Sequence, residues 1–182
     1  RAFEDKDIIH VAGRVNPLDD ISVINLELVL ADLETVTKRL HNLGKEVKAG
    51  KKEAIIEKGA LERVQKVLET GRLAGDAFKS DFKKSPKSDL ASAEFAPLSP
   101  LNLLTLKPIL YVLNASEASP TVIESVRGSI PGPFVEIDPI FGAGLDSLIT
   151  KAYETLGLIT YFTTGEDETR GWVIQRGWTA PL

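Results

Sequence analysis

Asn114-Ala115-Ser116-Glu117 follows directly on an apolar run, Pro108-Ile109-Leu110-Tyr111-Val112-Leu113. A continuous apolar stretch of strand length fits a strand buried on both faces of a parallel sheet. The four residues are then a polar tip, with a carboxamide, a hydroxyl and a carboxylate within one turn. Such a tip can meet a ligand, and Asn-x-Ser-Glu is equally an ordinary strand end followed by a helix cap. His10, in Asp7-Ile8-Ile9-His10-Val11, is one of two histidines. Between apolar neighbours it is either a polar group with work to do or a packed structural residue. The other, His41, falls on a basic helix and is expected at the surface. Arg170, Trp172, Arg176 and Trp178 share one stretch near the C-terminal end, and an aromatic, basic strand face can stack on and clamp RNA. Core packing of a small β domain is the other reading for at least one of the tryptophans. The chain contains no cysteine, which excludes disulfides, thiolate metal sites and thiol nucleophiles.

The elements that must position these residues come in three textures. Asp19 to Ala49 reads as one long helix, with Asp19 or Asp20 as its acidic cap just after Pro17. Leu33, Val36, Leu40, Leu43 and Val47 step by three and four along it, the seam of a coiled coil. Gly50 breaks it, and Lys51 to Thr70 repeats the step with Leu61, Val64 and Leu68. A short Ala49-Gly50-Lys51 turn predicts an antiparallel hairpin in which each helix covers the other's apolar stripe. At 1.5 Å per residue the first helix spans about 45 Å, the length of an arm. Gly71 to Pro100, rich in Ser, Lys, Pro and Ala, reads as an irregular return from that arm. Beyond it the pattern is α/β. Pro108–Leu113 and Pro133–Ile137 are strands, and Leu145–Leu156 is a helix with Leu145, Leu148, Ile149, Ala152 and Leu156 on one face. Two strands and a helix do not close a sheet, so further strands are expected to precede Arg1. From Leu158 a β-hairpin turning at Gly165-Glu166-Asp167 opens a new small domain.

The hydrophobic fraction of 43% and charged fraction of 26% are those of an ordinary soluble globular protein. No signal-peptide core opens the chain and no apolar run approaches the roughly 18 residues of a membrane helix. The formal charge of -4 conceals a segment, Lys38 to Lys87, with fourteen Lys or Arg against seven Asp or Glu. A basic segment on an acidic body suits an anionic partner such as RNA, and a solvated Lys/Glu helical face explains it equally.

Four stretches together resemble the YchF family of Obg-like ATPases: RAFEDKDIIHVAGRVNPLDDISVINLELVL at Arg1–Leu30, LLTLKPILYVLNASE at Leu103–Glu117, the helix near Leu145–Leu156, and YFTTGEDETRGWVIQRGWTAP at Tyr161–Pro181. They occur in the family's order, with the helical insertion between them and a poor match from about Gly71 to Leu98. The resemblance implies a partial P-loop NTPase (G-domain) sheet of the α/β class. An antiparallel coiled-coil hairpin is inserted into it, and the start of a β-rich TGS domain follows. The domains would be 1–18 with 99–157 for the nucleotide-binding part, 19–98 for the arm and its return, and 158–182 for the TGS start. No G-x-x-x-x-G-K-[ST] is present, so this stretch by itself is not expected to hold triphosphate tightly.

Site residues follow from the same resemblance. GTPases carry Asn-Lys-x-Asp at this strand end, with the aspartate accepting from guanine. Here no Lys follows Asn114 and the fourth residue is Glu117. Adenine offers an acceptor at N1, for which a main-chain amide is the better partner. The family's preference for ATP therefore implicates Asn114, Ala115 and Ser116 in nucleotide binding, with Glu117 excluding guanine. The family lacks the glutamine that orients water in Ras-like enzymes, and His10 is its candidate catalytic residue. The loop Asp138-Pro139-Ile140-Phe141-Gly142-Ala143-Gly144, in the place of the last nucleotide-binding motif, is shorter than usual and lacks the Ser-Ala pattern, with Gly142 and Gly144 as starts of the next helix. The implied activity is a cytoplasmic, ribosome-associated ATPase using ATP and Mg2+ as a conformational switch, with ribosome or RNA as partner and neither a membrane nor specific DNA. No metal ligand is assigned. The alternative is a non-catalytic RNA- or ribosome-binding helical arm.

Overall fold

The computed structural model describes residues 2, 15–78, 96–116 and 119–178. The chain divides into two compact units, Ser22–Lys107 and Arg1–Ile21 with Pro108–Leu182.

The first unit is built on α1 (Pro17–Lys48) and α2 (Lys52–Leu68). Asn16, rather than Asp19 or Asp20, caps α1: its Oδ1 accepts from the amides of Leu18 at 3.2 Å and Asp19 at 3.4 Å. Pro17 then sits at the first helical position, where its missing N–H costs nothing. The two aspartates lie in the first turn and complement the positive end of the helix dipole instead. Gly50, at φ 74°, takes the left-handed conformation that turns the chain into α2.

Val29, Val36 and Leu43 from α1 and Leu61, Val64 and Leu68 from α2 form one buried cluster, with Leu33, Leu40 and Val47 packed at its margin. Arg39 of α1 and Glu57 of α2 join the helices through paired bonds of 2.6 and 2.8 Å. The reading of 71–100 as an irregular return needs correcting at both ends. Short 3-10 turns at Ala74–Phe78 and Ala96–Leu101 fold onto the helices, and Phe78 and Leu98 are as buried as any helix residue. The Arg63 guanidinium lies 4.8 Å from the Phe78 ring centroid and donates to the Ala77 carbonyl at 2.9 Å. Spacing could not reveal this, because turns this short show no repeat.

Asp32 is buried at 3% exposure on α1. Its carboxylate accepts from the amides of Leu104 at 2.8 Å and Thr105 at 2.7 Å, and from the Thr105 hydroxyl at 2.6 Å. The Thr105 oxygen in turn accepts from the Ala74 amide at 3.0 Å. A buried carboxylate persists only when its lone pairs are occupied, and here they fasten the 3-10 turn Leu104–Leu106 to α1.

In the second unit β1 (Tyr111–Asn114) pairs in parallel with β2 (Phe134–Ile137), and α3 (Pro120–Arg127) lies between them in sequence. The strand begins at Tyr111, not Pro108. Its partner cannot start earlier than Phe134, which follows Pro131-Gly132-Pro133, and proline supplies no ladder donor. Nor is β1 buried on both faces: Leu113 is buried, but Val112 is 47% exposed. Leu113 packs with Ala2, Val126, Leu18, Ile123 and Ile130. The Arg127 guanidinium reaches Glu136 through two bonds of 2.9 and 3.1 Å, tying α3 to β2, and the Glu136 carboxylate holds the Arg127 pKa above its ordinary value.

The loop after β2 closes against Gly144, at φ 84°, where a Cβ would stand 2.2 Å from the Glu136 carbonyl oxygen. From there α4 (Leu145–Leu156) runs to Gly157, and β3 (Leu158–Thr164) pairs antiparallel with β4 (Thr169–Gln175). Tyr161 stands opposite Trp172, whose indole N–H donates to the Thr163 hydroxyl at 2.9 Å. Core packing does not hold for the tryptophans: Trp172 and Trp178 are 46% and 64% exposed.

Candidate nucleotide-binding site

In parallel α/β sheets, ligands bind beyond the carboxyl ends of the strands. Here those ends are Asn114 and Ile137, register partners in the ladder. The Asn114 backbone carbonyl accepts from the Ala2 amide at 3.1 Å. Its side-chain oxygen accepts from the Ser116 amide at 3.3 Å and the Ser116 hydroxyl at 3.0 Å. This Asx turn fixes the carboxamide with its nitrogen pointing away from the turn. That nitrogen has no hydrogen-bond partner among the described residues.

The sequence-based assignment of the Ala115 amide as the base-reading donor fails on geometry. That N–H donates to the Ile137 carbonyl at 2.9 Å, extending the β1–β2 ladder by one bond. Both donors of Ser116 are spent on the Asn114 side chain. His10 and Glu117 lie outside the described residues. His41, as expected, is exposed.

The loop on the neighbouring strand adds a residue that sequence reasoning had not singled out. Oδ1 of Asp138 accepts from the amides of Ile140 at 2.9 Å and Phe141 at 3.2 Å, while its own amide donates to the Ala143 carbonyl at 2.9 Å. The turn presents Ile140 and Phe141 to solvent, 65% and 83% exposed. The signal was available: Asp-Pro-x-x-Gly is turn chemistry, with Asp bonding to amides two and three residues on.

No family model matches the chain. It is 37% identical to the ribosome-binding ATPase YchF of Bacillus subtilis, over all of this chain and 55% of that protein. With YchF of Escherichia coli O157:H7 the identity is 34%, over all of this chain and 54% of the relative. The chain belongs to the YchF family of Obg-like ATPases. Obg-like ATPase 1 of Schizosaccharomyces pombe is 34% identical over all of the chain and 53% of its own length. A solved structure described as the Schizosaccharomyces pombe YchF GTPase superposes with a TM-score of 0.72 at 29% identity, covering 98% of this chain and 54% of that one. The chain spans about half the length of the curated YchF relatives it matches.

Among the described residues no cluster of three or more His, Cys, Asp or Glu could hold a metal ion, and no helix is long and apolar enough to cross a membrane. In this YchF-family chain Asn114 therefore offers a hydrogen-bond donor at the carboxyl end of β1. A second charged feature surrounds the α1–α2 turn. Lys45, Lys48, Lys51 and Lys52 are all exposed. Lys51 bonds Glu46 at 3.0 Å, whereas Lys45, Lys48 and Lys52 carry no ion pair among the described residues.

Proposed function

We propose that this chain is part of a cytoplasmic, ribosome-associated ATPase that binds and hydrolyses ATP in preference to GTP as a conformational switch. The observation that carries the reading is the Asn114 carboxamide, held by Ser116 at the carboxyl end of a parallel strand with its nitrogen unpartnered among the described residues. The curated relatives are named ribosome-binding ATPases, and the chain's likeness to them over its whole length supports transfer of that activity.

In this reading residues 1–18 and 99–157 belong to an Obg-type nucleotide-binding domain, 19–98 to a coiled-coil arm with its return, and 158–182 to the start of a TGS domain. Asn114 donates to the purine, Ser116 orients it, Glu117 disfavours guanine, and His10 orients the attacking water. Mg2+ would supply charge neutralisation at the phosphates, through ligands other than those described above. Ala115 contributes through its place in the ladder, which fixes the height of Asn114 beside β2.

Direct titration of ATP and GTP into the longest protein that carries this chain tests the reading. Asn114→Ala is expected to weaken ATP binding about tenfold, the scale of one lost buried hydrogen bond with its desolvation cost. Unchanged affinity would remove Asn114 from the site.

The bare lysines at the α1–α2 turn favour a second contribution, docking of the arm on RNA or the ribosome. Such contacts release counterions and weaken steeply with salt. Charge reversal at Lys45, Lys48, Lys51 and Lys52 is expected to abolish salt-sensitive ribosome association. Retention of binding by that variant would reject the arm as the docking element.

A further inference from the structure

Two polar groups with opposite hydrogen-bonding character lie at the carboxyl ends of neighbouring strands. Asn114 ends β1, and Asp138 follows Ile137, the last residue of β2 and the register partner of Asn114. The bond from the Ala115 amide to the Ile137 carbonyl carries the pairing to the edge of the Asp138 loop. Each side chain has one atom fixed by its own turn. Asn114 spends Oδ1 on Ser116 and keeps an amide nitrogen, a pure donor. Asp138 spends Oδ1 on Ile140 and Phe141 and keeps Oδ2, a pure acceptor without a partner among the described residues. Because both turns bond main-chain amides, neither carboxamide nor carboxylate needs to be ordered when a ligand arrives.

A donor beside an acceptor is the complement of one edge of adenine. That edge carries the N7 acceptor next to the exocyclic 6-amino donor, whereas guanine presents acceptors at both N7 and O6. We infer that Asp138 is the adenine-selecting acceptor of this site, its free carboxylate oxygen accepting from the 6-amino group while the Asn114 carboxamide donates to N7. The inference rests on the base-binding reading of Asn114 above. With guanine or hypoxanthine the same carboxylate faces O6, and two acceptors then lose their water without gaining a bond. Selectivity by an unmade hydrogen bond is stronger than selectivity by shape. Ile140 and Phe141, presented by the same turn, offer apolar surface beside that edge.

The test is competitive binding of ATP, ITP and purine riboside triphosphate to the longest protein that carries this chain. These nucleotides carry an amino group, an oxygen and a hydrogen at position 6. Asp138→Asn keeps the acceptor that the Ile140 and Phe141 amides need and replaces the free oxygen by a donor. It is expected to reduce the ATP-over-ITP preference about tenfold, the scale of one hydrogen bond to a charged group, while leaving purine riboside triphosphate affinity unchanged. Asp138→Ala, which removes the acceptor without adding a donor, should fall between wild type and Asp138→Asn in that ratio. An unaltered ratio in Asp138→Asn, with Asn114→Ala weakening all three nucleotides, would overturn the role of Asp138 and leave the site standing. If Asn114→Ala changes none of the three, the base site itself is misplaced and the assignment of Asp138 falls with it. The ratio compares ligands on one variant, so loss of folded protein does not imitate the expected result.

Discussion

The Ser22–Lys107 unit and the unit carrying β1 to β4 solve different problems. In the first, twelve buried residues drawn from two helices, two short turns and Leu103 share one core. In the second, the buried cluster among the described residues is Ala2, Leu113 and Val126, and α4 buries no residue at all. Large side chains that would ordinarily be interior stand open there, Ile149 at 60% and Phe162 at 70% among them. The polar groups suited to a ligand, Asn114 and Asp138, belong to this open unit. The buried carboxylate Asp32 belongs to the closed one, where every lone pair it uses is spent on structure. An acidic residue with its oxygens occupied from within holds a fold together, and one with an oxygen left over is available for chemistry.

Substitutions can break that comparison. Both tryptophans, Trp172 and Trp178, fall in the open unit, so their fluorescence reports it, while far-UV circular dichroism is dominated by α1 and α2. Leu61→Ala should cost about 3 to 4 kcal/mol in the helical signal, since a fully buried leucine leaves a cavity. Loss of the fluorescence transition at the same denaturant concentration would instead make the two units one cooperative body.

Asp32→Ala should cost about 3 kcal/mol, because the amides of Leu104 and Thr105 lose their acceptor inside the protein. Asp32→Asn, which retains one acceptor, should cost less. Equal losses would place the carboxylate's value in its charge rather than its bonds. Hydrogen exchange at the Leu104 and Thr105 amides should accelerate in both variants.

Gly144→Ala is expected to cost about 2 kcal/mol in the fluorescence signal, as the added methyl collides with the Glu136 carbonyl and the left-handed backbone is strained. Full stability in that variant would mean that the Asp138 loop is softer than its hydrogen bonds imply. The smallest effect is expected at Ile149→Ala, within about 0.5 kcal/mol, since an exposed side chain has little burial to lose. A loss of several kcal/mol there would show that the α4 face is covered in solution.

Much of the architecture was legible from residue order. The three-and-four spacing of Val36, Leu43, Leu61 and Val64 picked out the buried seam, the helix at Leu145–Leu156 fell where its apolar face placed it, and Gly165-Glu166-Asp167 marked the turn of the β3–β4 hairpin. A helix cap was legible in Asn114-Ala115-Ser116-Glu117, but α3 is capped three residues on, by Ser119 ahead of the first-turn Pro120. The site was half legible. Asn114 lies at the end of its strand as expected, but the Ala115 amide proved to be a ladder donor and Asp138 went unremarked.

Periodicity, turn residues and helix caps act over a few positions, and to that extent the sequence by itself determined which segments are helix, strand and turn, and that a polar group ends β1. Hydrogen-bond partnership joins residues distant along the chain: Asp32 meets Thr105, and Ala115 meets Ile137. Only the tertiary structure decided which donors and acceptors are consumed by the fold and which remain. A side chain's type fixes what it can bond, and its neighbours in space decide whether that capacity is already used.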